Sequence, residues 1–96
     1  MSLLSIISQP NQTLSAQLSG AVFDITIRTS GDETLVDVVI DSETVISGIR
    51  AQLNQRVLPY PHMETYGNLI FRGDSELTYS NFGTAVLLYH IPPEDL

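Results

Sequence analysis

The chain contains no cysteine, no tryptophan and no lysine. Without cysteine it can form no disulfide staple, thiolate metal site or cysteine nucleophile, and any stability must come from an ordinary apolar core. Without lysine, the positive charge is confined to Arg28, Arg50, Arg56 and Arg72, set against 11 acids for a net charge of -7. Such a balance repels nucleic-acid phosphates and anionic lipid headgroups. Long apolar runs are also missing. The longest, Ala85 to Tyr89, falls far short of the ~18–20 residues that cross a bilayer. The start, Met1 to Ile7, has no basic residue ahead of its apolar positions, which leads us to expect a chain kept in the cytoplasm rather than secreted.

What is present is short apolar runs amounting to 43% of 96 residues, enough for one domain with one core. Gln12 to Leu18 alternates, with Leu14, Ala16 and Leu18 on one face and Thr13, Ser15 and Gln17 on the other. Ser19-Gly20 supplies a tight turn, and Ala21 to Arg28 resumes the alternation with Phe23, Ile25 and Ile27. This pattern is a β-hairpin. Thr34 to Asp41 is β-branched and apolar on both faces around Val38-Val39-Ile40, the pattern of a central strand. Asp41-Ser42-Glu43 then turns into a strand over Thr44 to Arg50, where Gly48 signals a bulge. Ile49, Leu53 and Val57 recur at helical spacing, so one helical turn is expected over residues 54–58 before Pro59 and Pro61 end it. Short strands follow over Asn68 to Arg72 and Thr84 to Ile91, and Pro92-Pro93 closes the ladder.

The expected fold class is all-β: a small OB-like barrel of five to seven short strands with one short helical turn, with a β-sandwich as the alternative. The division expected is an N-terminal arm or edge strand over residues 1–10, the barrel over 11–91 and a mobile tail over 92–96. The arm carries Leu3, Leu4, Ile6 and Ile7, too apolar for a free tail, and is expected to add as an edge strand.

Reactive constellations are thin. His62-Met63-Glu64 offers at most two ligands to a metal that needs three or four. No serine lies in a nucleophile elbow, and the glycines are isolated turn residues rather than a phosphate cradle. No catalytic, cofactor-binding or metal residue is expected. An OB-like shape that binds nucleic acid needs a basic groove with aromatic platforms; the rings are here but the basic groove is not.

Three motifs remain: the polar Pro10-Asn11-Gln12-Thr13 followed by the turn at Gly20; Gly48-Ile49 followed by Leu58-Pro59-Tyr60; and the polar Asn81-Phe82-Gly83-Thr84 followed by Leu88-Tyr89-His90-Ile91. In their order and spacing they resemble the phage tail baseplate plug proteins, a family of similar size with an OB-like domain. The resemblance runs from about Ile7 to Ile91. It implies a non-enzymatic virion component of a contractile-tail baseplate, a plug or adaptor near the hub. Its implied partners are hub, spike or tube proteins, with the chain as a symmetric homo-oligomer in the particle and with no direct nucleic acid, no membrane and no cofactor. The implied location is the virion tail baseplate, reached from the host cytoplasm during assembly. Pro10, Asn11, Gln12, Thr13, Gly20, Gly48, Asn81, Gly83, Leu88 and Tyr89 carry over as structural motif residues. A stand-alone OB-like module binding protein or carbohydrate, and a tail assembly factor, are the alternatives.

Overall fold

Alternation and turn chemistry place the first sheet. The computed structural model describes all of residues 1–96, and its strands run β1 (Ser2–Leu4), β2 (Gln12–Leu18), β3 (Ala21–Ser30), β4 (Glu33–Ile40), β5 (Glu43–Arg50), β6 (Asn68–Gly73) and β7 (Val86–Ile91). Strands β2 to β5 form a four-stranded antiparallel meander in sequence order. Its connections are two-residue turns at Ser19-Gly20, Gly31-Asp32 and Asp41-Ser42. Ser19 and Gly20 both have positive φ (50° and 82°), as do Asp41 and Ser42 (49° and 69°), the conformation whose twist matches that of the flanking strands. Asp41 is held in it by accepting the Val22 amide on Oδ1 at 2.8 Å. The second sheet is antiparallel, in the order β1-β7-β6.

The two sheets face each other across one core. β3 contributes Phe23, Ile25 and Ile27, and β4 contributes Val36, Val38 and Ile40; the opposite sheet supplies Leu4, Leu69, Phe71, Val86 and Leu88. Phe71 and Phe82 stack at 6.0 Å between centroids, and Phe23 meets the His90 ring edge-on at 5.4 Å. Burying each such aliphatic side chain contributes about 1.5–3 kcal/mol, so these two inner faces dominate the stability.

The all-β expectation and the strand count hold, but the barrel does not close. No strand of the meander ladders onto a strand of the second sheet, so the arrangement is two facing sheets. Closure fails because β2 and β5 each end their sheet, while the flank of β6 is taken by the connector. Leu53 bridges Phe71, and Arg56 bridges Ile70. The helical turn expected over residues 54–58 is therefore absent. Asn54 adopts φ 61°, its amide donates to the Phe71 carbonyl at 2.6 Å and that of Val57 to Leu69 at 2.8 Å. Sheet-edge pairing outcompetes a single helical turn, which would fix several residues for few bonds. Short 3-10 turns form instead at Pro61–Met63, Tyr79–Asn81 and Pro93–Asp95.

β4 also differs from expectation on one face. Its inward residues are buried, but Leu35, Asp37 and Val39 on the other side are only half-buried. No second layer covers that face. The bulge expected at Gly48 is present: the four residues from Ile46 to Ile49 lie opposite the three from Val38 to Val36 on β4, and Gly48 has φ 70°.

Candidate interaction surface

The structure spreads the motif residues over four places rather than gathering them in one pocket. The first is the entry to β2. The Thr29 hydroxyl donates to the Pro10 carbonyl at 2.8 Å, and the Thr29 amide reaches Asn11 Oδ1 at 3.4 Å. Gln12 accepts the Ile7 amide on Oε1 at 3.0 Å and donates from Nε2 to the carbonyls of Ile7 (2.8 Å) and Gln9 (3.1 Å). Its side-chain amide thus pairs with the Ile7 backbone as a neighbouring strand would. Thr13 shares a hydroxyl contact with Thr26 at 3.2 Å. The strand preceding this loop, β1, lies along β7 with Leu4 opposite Leu88 and Leu3 opposite Tyr89. Leu4 and Ile6 enter the core while Leu3 and Ile7 stay exposed.

The second place is the turn before β7. The Asn81 side chain donates to the Glu76 carbonyl at 2.8 Å, and Thr84 Oγ1 donates to the Asn81 carbonyl at 3.1 Å. Gly83 has φ 81°, and a Cβ there would lie 2.8 Å from the Ile6 carbonyl oxygen. The glycine therefore lets the N-terminal segment pass against this turn. Leu88 is buried and Tyr89 half-buried beyond it.

Gly48 marks the third, on the uncovered face of the meander, and Gly20 the fourth, serving only the β2–β3 turn. The Gly48 amide donates to Asp37 Oδ1 at 2.6 Å, joined there by Arg28 at 2.9 Å and the Ser47 hydroxyl at 3.2 Å. Partial burial would raise the Asp37 carboxyl, but these donors and the Arg28 charge outweigh it and hold it below the ordinary aspartate range. A Cβ at Gly48 would lie 3.5 Å from the Arg28 guanidinium.

Sequence reasoning missed the most heavily bonded side chain. Asn68 is fully buried, accepts the Leu58 and Leu69 amides on Oδ1, and donates to the Leu58 carbonyl and Glu64 Oε2. Its only signal was an amide residue at the head of an apolar strand. His90, near the end of β7, is buried and hydrogen-bonded, with Nε2 2.8 Å from the Tyr66 carbonyl.

No three or more His, Asp or Glu side chains converge as a metal would require. His62 stacks on Tyr60 at 5.9 Å, and Glu64 points to Asn68 and, at 3.6 Å, to Arg56. The largest depression, about 900 Å3, is an open groove lined by Asp32, Glu33, Arg50, Glu76 and Tyr79 among others. Exposed apolar groups gather where the chain ends meet: Met1, Leu3 and Leu96 are exposed, and the Met1 amine lies 3.9 Å from Asp95.

These features define a small two-sheet β-protein that offers surfaces and strand edges rather than a cluster of reactive groups. The family described as cyanophage baseplate Pam3 plug gp18 matches residues 1–93, and the chain belongs to that family. No curated protein matches it. Membership makes the chain a structural baseplate component, and it favours neither the stand-alone module nor the assembly factor.

Proposed function

We propose that this chain is a non-enzymatic plug or adaptor near the hub of a contractile-tail baseplate, contacting hub, spike or tube proteins. The observation that carries this reading is the family match over nearly the whole chain. In it, the chain assembles from the host cytoplasm into the virion as a symmetric homo-oligomer, binds no nucleic acid directly and does not enter a membrane. The motif residues act structurally: Gln12, Gly83, Leu88 and Tyr89 anchor residues 1–10 to the body spanning 11–91, with 92–96 alongside, while Gly20 and Gly48 shape the meander. A net charge of -7 without lysine supports a component that tolerates DNA nearby without adhering to it.

Disrupting the gene in a phage that carries it tests the reading. Particles made without the chain should have defective baseplates and lose infectivity, both restored when the chain is supplied in trans. Normal, infectious particles lacking the chain would overturn it. Fluorescence anisotropy with a labelled oligonucleotide across a salt series tests the nucleic-acid clause. No binding is expected even at low salt, and binding that fades as salt rises would contradict it.

A further inference from the structure

Sandwiches have strand edges, and natural proteins blunt those that could pair with another chain. Three of the four edges here are blunted. The flank of β6 is occupied by the bridges from Leu53 and Arg56. β5 has two register irregularities and carries Glu43 and Arg50 at its ends. β1 is three residues long. β2 differs from all of these: seven residues, in unbroken register with β3, without a charge, a proline or a bulge.

The two-residue turn fixes which groups β2 leaves open. Leu18 and Ala21 close the hairpin as a hydrogen-bonded pair, and such pairs recur at every second residue. Leu18, Ala16, Leu14 and Gln12 therefore bond inward to β3, while Thr13, Ser15 and Gln17 direct their amides and carbonyls to the open side. No loop or turn backbone bond reaches these three residues. Leu14, Ala16 and Leu18 pack against the core yet stay half-buried, as expected where no further strand covers them.

We infer that β2 is a self-association edge, pairing antiparallel with β2 of a second copy about a two-fold axis through Ser15. This register sets Ser15 opposite Ser15 and Thr13 opposite Gln17, so every open backbone group on both strands finds a partner. Leu14 then faces Ala16 of the other copy, burying the half-exposed apolar stripe, and no charge faces a like charge. The two meanders fuse into one sheet. A second copy is the occupant because the contact is isologous: each strand supplies the neutral, regular edge that the other requires. This deepens the homo-oligomer part of the reading above. It is tested on purified chain in solution, separately from the baseplate role.

Sedimentation velocity from micromolar to millimolar concentration should show a monomer–dimer equilibrium. Because each copy carries -7, association should strengthen as salt screens the repulsion. Ser15→Pro removes an outward amide and leaves the backbone bonds to β3 in place, losing only the Ser15 hydroxyl bond to Asp24, and Ser15→Lys sets two like charges together at the axis. With circular dichroism unchanged, each should weaken the dimer by at least about tenfold. The absence of native cysteine allows a check that is independent of both. At a hydrogen-bonded antiparallel pair the Cα atoms lie about 5.5 Å apart, within disulfide reach. Ser15→Cys should therefore give a covalent dimer on mild oxidation, whereas Leu3→Cys on β1 should not. A chain monomeric throughout the range, a dimer indifferent to both Ser15 substitutions, a dimer weakened by salt, or equal cross-linking at positions 3 and 15 would each overturn the proposal.

Discussion

In the meander, each strand pairs with its neighbour in sequence across two residues; in the facing sheet, β7 pairs with β1 from the opposite end of the chain. The meander is written locally, in period-two alternation and turns that impose positive φ. The facing sheet is written in particular polar side chains and close approaches. Gln12 pairs with the Ile7 backbone, Asn54 bonds the Gly73 backbone in both directions, and Asn68 bonds Leu58 in both directions. Gly73 and Gly83 sit where a Cβ would meet backbone oxygen at 2.5 and 2.8 Å. Long-range pairing must offset a larger loop-closure cost, and these groups supply directional bonds where hydrophobic alternation alone would leave the register loose.

Both sheets depend on the shared core, so the largest effect should come from breaking it. Ile27 is fully buried, and Ile27→Asp places an unpaired carboxylate there, at a cost comparable with the ~5–15 kcal/mol stability of a domain. Circular dichroism should show an unfolded chain.

Asn68→Ala comes next and targets the facing sheet. It leaves the buried Leu58 amide and carbonyl without partners, which should cost about 2–4 kcal/mol in denaturant unfolding. A loss below that of an exposed substitution would mean that the connector is held by something other than the amide.

Paired glycine substitutions sharpen the contrast. Gly83→Ala combines positive φ with the contact at the Ile6 oxygen and should cost about 2–3 kcal/mol. Gly20→Ala has the same φ but open space around it, so about 1 kcal/mol is expected. Equal losses by thermal melting would remove the close-approach account. Gln12→Ala should cost about 0.5–1.5 kcal/mol, with hydrogen exchange quickening at Ile7 while β3 amides stay protected.

The smallest effect is a pH dependence in the meander alone. Asp37 has a folded pKa below the unfolded value of 3.8. Its contribution is therefore present above that value and is lost as pH falls through the lower folded one. Asp37→Asn should be less stable at neutral pH and lose less than the native chain on acidification below 3.8. Parallel acid curves for the two chains would refute the assignment.

The difference in how the sheets are specified explains what could be read in advance. The β2–β3 hairpin, the Asp41 turn and the Gly48 bulge were legible because their causes lie within a few residues. In the N-terminal arm, β1 lies along β7 with Leu4 and Ile6 in the core, while Leu3 and Ile7 stay exposed. Residues 54–58 were misread as a helical turn because Ile49, Leu53 and Val57 recur at helical spacing; the free flank of β6 that claims the segment is a tertiary fact. Barrel closure failed for the same reason. Of the candidate surface, the motif residues were visible in the sequence, but only the fold shows Gln12 reaching Ile7 and Gly83 making room for Ile6.

The central claim is that this two-sheet domain is a built-in part of a tail baseplate. A cryo-electron microscopy reconstruction of the baseplate from phage particles carrying the chain tests it most directly. The account predicts density near the hub that fits the meander and the facing sheet, with β1 lying against β7. A complete baseplate whose density accounts for every other protein and leaves no place for this fold would contradict it.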